Sequence, residues 1–202
     1  LNWSGGADMI GTGTLTTHAI TTIDGTGNGL GRNWTNTGTV NLVGSGEMLF
    51  FNAPATWTNG ASGVINLLGS NAAPVRSFNL SGHVFNNQGT LNKQAGSAAT
   101  QAIGDSVVAV NNTGTINVNS GTLQIDGAGT DSGAYAVAAG RALEFTLGTR
   151  NLNAGSDVSG AGSVTVSAGT VNVNAGYAIA GTGTTTVNGG VANFNVPLSF
   201  AN

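Results

Sequence analysis

Two consecutive segments near the C-terminal end constrain the fold more than anything else in the chain. Asn153-Ala-Gly-Ser-Asp-Val-Ser-Gly-Ala-Gly-Ser-Val-Thr-Val-Ser-Ala-Gly-Thr-Val-Asn-Val173 is followed without a gap by Asn174-Ala-Gly-Tyr-Ala-Ile-Ala-Gly-Thr-Gly-Thr-Thr-Thr-Val-Asn-Gly-Gly-Val-Ala-Asn-Phe194, and nine of the 21 aligned positions are identical. A fixed period of about 20 to 50 residues marks a solenoid or similar array. Within each segment apolar residues recur at spacing two, as in Val164 and Val166 or Val171 and Val173, with Gly155, Gly160, Gly162 and Gly169 between them. Spacing two with β-branched residues indicates strands, here only three to five residues long. Roughly three short strands and three turns per repeat make one coil of a parallel β-helix.

The rest of the chain follows the same grammar more loosely. Trp34-Thr-Asn36-Thr-Gly38-Thr-Val-Asn-Leu42 recurs around Trp57, Asn59 and Gly63, around Phe85, Asn87 and Gly89, and around Val110, Asn112 and Gly114. The intervals vary by several residues, which fits fixed strands joined by loops of changing length, as in a right-handed β-helix. Leu1 to Thr16 aligns at a constant offset with Val171 to Thr186, so the chain is expected to open mid-coil. The prediction is one continuous all-β domain over 1–202: a right-handed parallel β-helix of about eight or nine coils of 21–28 residues. Irregular coils cover 1–150, strict 21-residue coils cover 153–194, and 195–202 is an exit segment marked by Pro197. With no polar cap in the sequence, the chain is expected to be part of a longer array.

Composition supports coil stacking. Only 6% of residues are charged and 40% are hydrophobic, whereas disordered chains pair high charge with little apolar content. Stacked coils place equivalent residues about 4.8 Å apart, where like charges repel. Asn, Thr and Ser avoid that cost and form hydrogen-bonded ladders. With a net charge of −3 and five scattered basic residues, no basic patch exists for nucleic acid. No apolar run is long enough to span a membrane, and no cysteine offers a disulfide or thiolate metal site.

The alternation predicts an inward set: Val40, Leu42, Ile65, Leu67, Leu91, Ile116, Val118, Leu123, Ile125, Leu143, Phe145, Val158, Val164, Val166, Val171, Val173, Ile179, Val187 and Phe194. It also predicts one outward interaction face of paired positions: Thr14 and Thr16, Thr39 and Asn41, Val64 and Asn66, Thr90 and Asn92, Thr115 and Asn117, Ser163 and Thr165, Thr184 and Thr186. A Thr column on a β-solenoid suits ice binding, although the Asn sites and Val64 are out of keeping with that use. Thr and Asn also fill such positions simply because they suit strands and stack well.

The repeats Asn112-Thr-Gly-Thr-Ile-Asn-Val-Asn-Ser-Gly-Thr-Leu-Gln-Ile125 and Ser159-Gly-Ala-Gly-Ser-Val-Thr-Val166 resemble those of filamentous haemagglutinin-like adhesins and autotransporter passengers, over nearly the whole chain. The resemblance implies an exported β-helical stalk at a bacterial cell surface, acting in adhesion or surface structure, and carries over no catalytic residue. Expected partners are a host-cell or matrix surface, its glycans, or sister filaments joined end to end or laterally.

Other constellations are weak. His18 and His83 fall in different coils with no third ligand, so no metal site is expected, nor any cofactor. Asp24-Gly-Thr-Gly-Asn28 and Asp126-Gly-Ala-Gly-Thr-Asp131 read as turns rather than calcium loops. A carbohydrate-active enzyme, the third functional alternative, would need paired carboxylates. Glu144 has Gln124 and Asn172 at matching repeat positions, and Glu47 and Asp105 lack evident partners. Arg32, Arg76, Lys93, Arg141 and Arg150 are scattered, and no enzymatic activity is expected. Trp3, Trp34, Trp57 and Phe85 could be sugar platforms, but Val110 shares the repeat position of the last three, which points to core.

Overall fold

A computed structural model describes residues 1–78 and 80–198. The described chain is a parallel β-solenoid of about nine coils, all strand and turn with no helix. Each coil contributes one strand to each of three faces. The first face comprises Asn2–Ser4, Ile20–Asp24, Thr39–Val43, Val64–Leu67, Thr90–Lys93, Thr115–Val118, Ala134–Val137, Asp157–Gly160 and Gly176–Ile179. The second comprises Asp8–Ile10, Gly29–Gly31, Met48–Phe50, Val75–Ser77, Thr100–Ile103, Thr122–Ile125, Ala142–Phe145, Ser163–Val166 and Thr185–Val187. The third is split into a five-stranded sheet from Leu15–Thr17 to Val108–Asn112 and a four-stranded sheet from Gly129–Asp131 to Val191–Phe194.

Alternation does most of the building. Ile65, Leu91, Ile116 and Tyr135 are register partners on the first face, and all are fully buried. Each buried aliphatic side chain contributes roughly 1.5–3 kcal/mol. Of the predicted inward set, only Val187 and Phe194 are not buried; both lie in the last coil, and Val187 is 48% exposed. Inside the first coils Trp34 stacks on Trp57 at 4.9 Å, Trp57 meets Phe85 at 5.0 Å, and Trp3 stands edge-on to Trp34. These aromatic rings are core, in agreement with the Val110 substitution.

The Asn-x-Gly motif has a steric origin. The corner between the third and first faces brings backbone directly over backbone. A Cβ at Gly89 would lie 2.2 Å from Gly63 O, and one at Gly114 would lie 2.1 Å from Gly89 O. In those coils only glycine fits, whereas the coils that turn through His18-Ala19 and Asn174-Ala175 close the same corner without it.

Three expectations about register change. Coils are as short as 19 residues, as between Thr17 and Asn36, and as long as 28, as between Asn59 and Asn87; the two-residue corner His18-Ala19 is enough to turn the chain. The final repeat keeps its 21-residue spacing on the second and third faces, but on the first face Val158 pairs with Tyr177, two residues short of Ile179. A slip of two preserves which side chains point inward. It brings Tyr177 over the core, where its ring meets Phe194 edge-on at 5.3 Å and its hydroxyl bonds Thr185 Oγ1 at 2.7 Å. Third, Asn2–Ser4 lies on the first face, whereas its sequence counterpart Thr170–Val173 lies on the third. In the exit segment, 195–198 carry no strand and 199–202 lie outside the described residues.

Candidate functional site

The predicted outward column is divided among three faces. Thr39, Asn41, Asn66, Thr90, Asn92, Thr115 and Asn117 stand together on the first face in direct register. Ser163, Thr165, Thr184 and Thr186 belong to the second face or its margin, and Thr14 and Thr16 to the third. All point outward, but they do not form one surface. The cause is that every face uses the same spacing-two code. On the first face the amides form a continuous ladder: Asn66 Nδ2 donates to Asn41 Oδ1 at 2.9 Å, Asn92 to Asn66 at 3.0 Å, and Asn117 to Asn92 at 2.8 Å. The neighbouring column reads Thr39, Val64, Thr90, Thr115 and then Ala134, so the threonines are interrupted.

A second ladder runs inside and was not anticipated. Asn36, Asn59, Asn87 and Asn112 are fully buried. Asn36 Nδ2 donates to Asn59 Oδ1 at 2.9 Å, Asn59 to Asn87 at 2.8 Å, and Asn87 to Asn112 at 2.8 Å. The next rung is Asp131, in Asp131-Ser-Gly133, which repeats the Asn-x-Gly motif with a carboxylate. Asp131 Oδ1 accepts the Asn112 backbone N–H at 2.7 Å, and Oδ2 accepts the Tyr135 hydroxyl at 2.9 Å and Arg150 Nη1 at 2.6 Å. Arg150 also reaches Val110 O at 3.1 Å and Gly127 O at 2.8 Å. It thereby ties three coils together where the third face splits. Gly129, its register partner, leaves the room: a Cβ there would lie 3.0 Å from Arg150 Nη1. Burial, and then the Asp131 charge, push the Tyr135 phenol well above its ordinary range.

The remaining ionisable groups are also held by the fold. The Glu47 carboxylate forms a forked pair with Arg76 at 3.1 and 3.2 Å and accepts Gly27 N–H at 3.0 Å. Asp105 likewise accepts backbone N–H groups from Ser77, Val107 and Val108. Glu144 accepts Gln124 Nε2 at 2.8 Å. Asp126 accepts the Thr146 hydroxyl; burial, with Glu144 and Asp105 nearby, raises its carboxyl pKa. Lys93 is fully buried at an inward position between Leu67 and Val118, with no carboxylate bonded to its ammonium. Its Nζ donates to Ala98 O at 2.6 Å, Ser97 Oγ at 2.8 Å and Gln101 Oε1 at 3.3 Å, and burial lowers its pKa to about 8. His18 is exposed and bonds Thr37 Oγ1. His83 is buried, accepts Ala55 N–H at 3.1 Å and stacks on Phe50, and burial lowers its pKa. Among the described residues no three His, Cys, Asp or Glu side chains converge as a metal site.

Two corners depart from the smooth rod, and the longest connecting segments, 68–74 and 94–99, lie between the first and second faces. At the corner between the second and third faces the connecting segments lengthen to 51–55, 78–82 and 104–107, then shorten to 126–128. Where they shorten, a cavity of about 290 Å³ opens, with Val84, Val107, Ala109 and Ala128 as apolar walls and Ser81, Ser106 and the buried His83 contributing polar groups. Just upstream of Ser81, Phe78 and Leu80 are 61% and 39% exposed, and Phe78 stands edge-on to Phe51. No protein-family model, curated protein or solved structure matches the chain.

Proposed function

We propose that this chain is a non-enzymatic, rigid segment of an extracellular surface rod, of the kind found in filamentous haemagglutinin-like adhesins and autotransporter passengers. The observation that carries the reading is the continuity of the scaffold. The first and second faces run unbroken through nine strands each, with one amide ladder along the outside of coils 3 to 6 and another inside coils 2 to 5. Nine coils at about 4.8 Å each make a rod near 40 Å long. Glu47, Asp105, Asp131 and Arg150 are all consumed in holding coils together, which leaves them no free chemistry.

The adhesive part of the reading predicts that beads coated with the chain bind cultured host cells or matrix, while the chain cleaves no polysaccharide. A glycan-cleaving activity lost on Glu144→Gln would replace it with the enzymatic alternative. The ice-binding alternative is weakened by the distribution of the threonines over three faces. Thermal hysteresis abolished by bulky replacements at Thr184 and Thr186 would revive it.

A further inference from the structure

Asparagine followed by glycine is the pair most open to spontaneous side-chain chemistry, because glycine has no Cβ to crowd its backbone nitrogen as it reaches the amide carbon. The chain holds three such pairs, Asn28-Gly29, Asn59-Gly60 and Asn188-Gly189, and the fold treats them differently. Asn28 is fully buried; its Nδ2 donates to Gly25 O at 2.7 Å and Glu47 O at 3.3 Å, and Gly29 N–H donates to Ala7 O at 3.1 Å. Asn59 is a fully buried rung of the internal ladder, and Gly60 N–H donates to Asn36 O at 2.8 Å. In both pairs the amide and the nitrogen that would attack it are committed to other partners. Asn188 and Gly189 are exposed, in the turn between Thr185–Val187 and Val191–Phe194. Among the described residues neither the Asn188 side chain nor Gly189 N–H has a hydrogen-bond partner.

The turn itself creates this arrangement. Phe145, Val166 and Val187 are successive register partners, so Asn188 follows Thr146 and Ser167 in one column. In those two preceding coils the turn residue in the left-handed region is the third, Gly148 at φ +70° and Gly169 at φ +68°. In the last coil it is the second, Gly189 at φ +97°. A Cβ at Gly189 would also lie 2.6 Å from Ser167 O. This turn therefore requires glycine directly after residue 188, and of the three coils only this one sets an amide side chain before it.

We propose that Asn188 is a site of spontaneous deamidation in the folded chain. Gly189 N gives its proton to hydroxide and attacks Asn188 Cγ. The N–Cγ bond forms, the Cγ–Nδ2 bond breaks, and the leaving nitrogen takes a proton back from water and departs as ammonia, which leaves a succinimide. Water then opens the ring at Cγ to give aspartate, or at the Asn188 backbone carbonyl to give an isoaspartyl link whose main chain runs through the side chain. Either product adds one negative charge to a net charge of −3, in a column where the two preceding rungs, Ser167 and Thr146, are neutral. The isoaspartyl product also lengthens the turn by one methylene just before Val191–Phe194, the strand that brings Phe194 to the Tyr177 ring. The assignment is independent of the adhesive reading.

Incubation of the full chain in mildly alkaline buffer, with and without urea, followed by proteolysis and peptide mass spectrometry, tests it. In the folded chain Asn188 should deamidate about tenfold faster or more than Asn28 and Asn59, which react only after local opening. In urea the three pairs should react at similar rates. Asp24-Gly25 and Asp126-Gly127 isomerise without a change of mass, so the deamidation signal belongs to asparagine alone. Asn188→Ser, which copies Ser167, should melt like the wild type and lose the early product. No deamidation at Asn188 in the folded chain over a period in which the chain in urea reacts, or faster reaction at Asn28 or Asn59 than at Asn188 in the folded chain, would overturn the proposal.

Discussion

Lys93 offers the sharpest quantitative prediction. Its ammonium is buried among neutral acceptors, and burial brings its pKa from 10.5 to about 8. In the unfolded chain the same group titrates near its ordinary value. Between these two values the unfolded state binds more protons, so stability must rise with pH. Below the folded pKa the penalty is constant at about 3 kcal/mol, from 1.36 kcal/mol per pKa unit. Raising the pH from about 7 to about 9.5 removes roughly 2 kcal/mol of it. The upper limit matters, because Tyr135 and Tyr177 both have raised pKa values, and their ionisation on unfolding reverses the trend near pH 10. The assay is urea unfolding followed by fluorescence of the buried Trp34 and Trp57, at matched ionic strength. The midpoint should climb from pH 7 to 9.5 with an unchanged slope. Lys93→Met should be more stable at pH 7, because it stands between Leu67 and Val118, and its midpoint should not climb. A wild-type midpoint that stays flat or falls over this interval would refute the argument, as would a Lys93→Met midpoint that still climbs.

Two further predictions concern the interior. Asp131→Asn alone leaves the Arg150 guanidinium buried without its counter-charge and should cost about 3–5 kcal/mol. The double variant Asp131→Asn, Arg150→Val extends the amide ladder and matches Val171, so chemical denaturation should recover much of that loss. Asn87→Leu breaks the internal ladder, removing one acceptor of the Asn59 amide and the donor to Asn112 Oδ1, and should cost about 2–4 kcal/mol. Asn92→Ala on the outside should lie within about 1 kcal/mol of wild type by the same measurement, because water replaces the lost bonds.

The sequence made strand parity legible, and with it most of the core, because spacing two is an unambiguous code once the strands are found. It did not make the faces legible. Thr39-x-Asn41 and Ser163-x-Thr165 obey the same rule on different sheets, so a motif reports inward or outward but not which side of the rod. The two-residue slip at Tyr177 escaped for the same reason: it preserves parity and costs the pattern nothing. The internal ladder escaped because asparagine normally reads as outward, although Asn36, Asn59, Asn87 and Asn112 mark the repeat. Lys93 and Arg150 were within reach. Thr90-Leu-Asn-Lys93 parallels Thr115-Ile-Asn-Val118, and Thr149-Arg-Asn-Leu152 parallels Thr170-Val-Asn-Val173, which sets both cations at core positions. The corner cavity left no trace in any motif, since it arises from a change in loop length between successive coils.

The placement of charge unites these observations. Neutral amides repeat rung after rung, because each side chain both donates to and accepts from its neighbours. Charges on the strands occur singly. Lys93 lies between Leu67 and Val118, Arg150 between Gly129 and Val171, Glu144 between Gln124 and Thr165, Asp157 between Ala134 and Gly176, and Asp24 between Ser4 and Val43. At about 4.8 Å between rungs, two like charges in one column would repel by about 1 kcal/mol even in water and by several times that near a protein surface. Asp8 and Arg76 share a column, but they are opposite in sign and separated by Gly29 and Leu49; keeping like charges off adjacent rungs avoids the repulsion and leaves each group free to bond across columns, as Arg150 does with Asp131 and Tyr135. The low charge content of the chain is therefore a consequence of stacking: adjacent rungs of a column do not carry like charges, and most columns carry none.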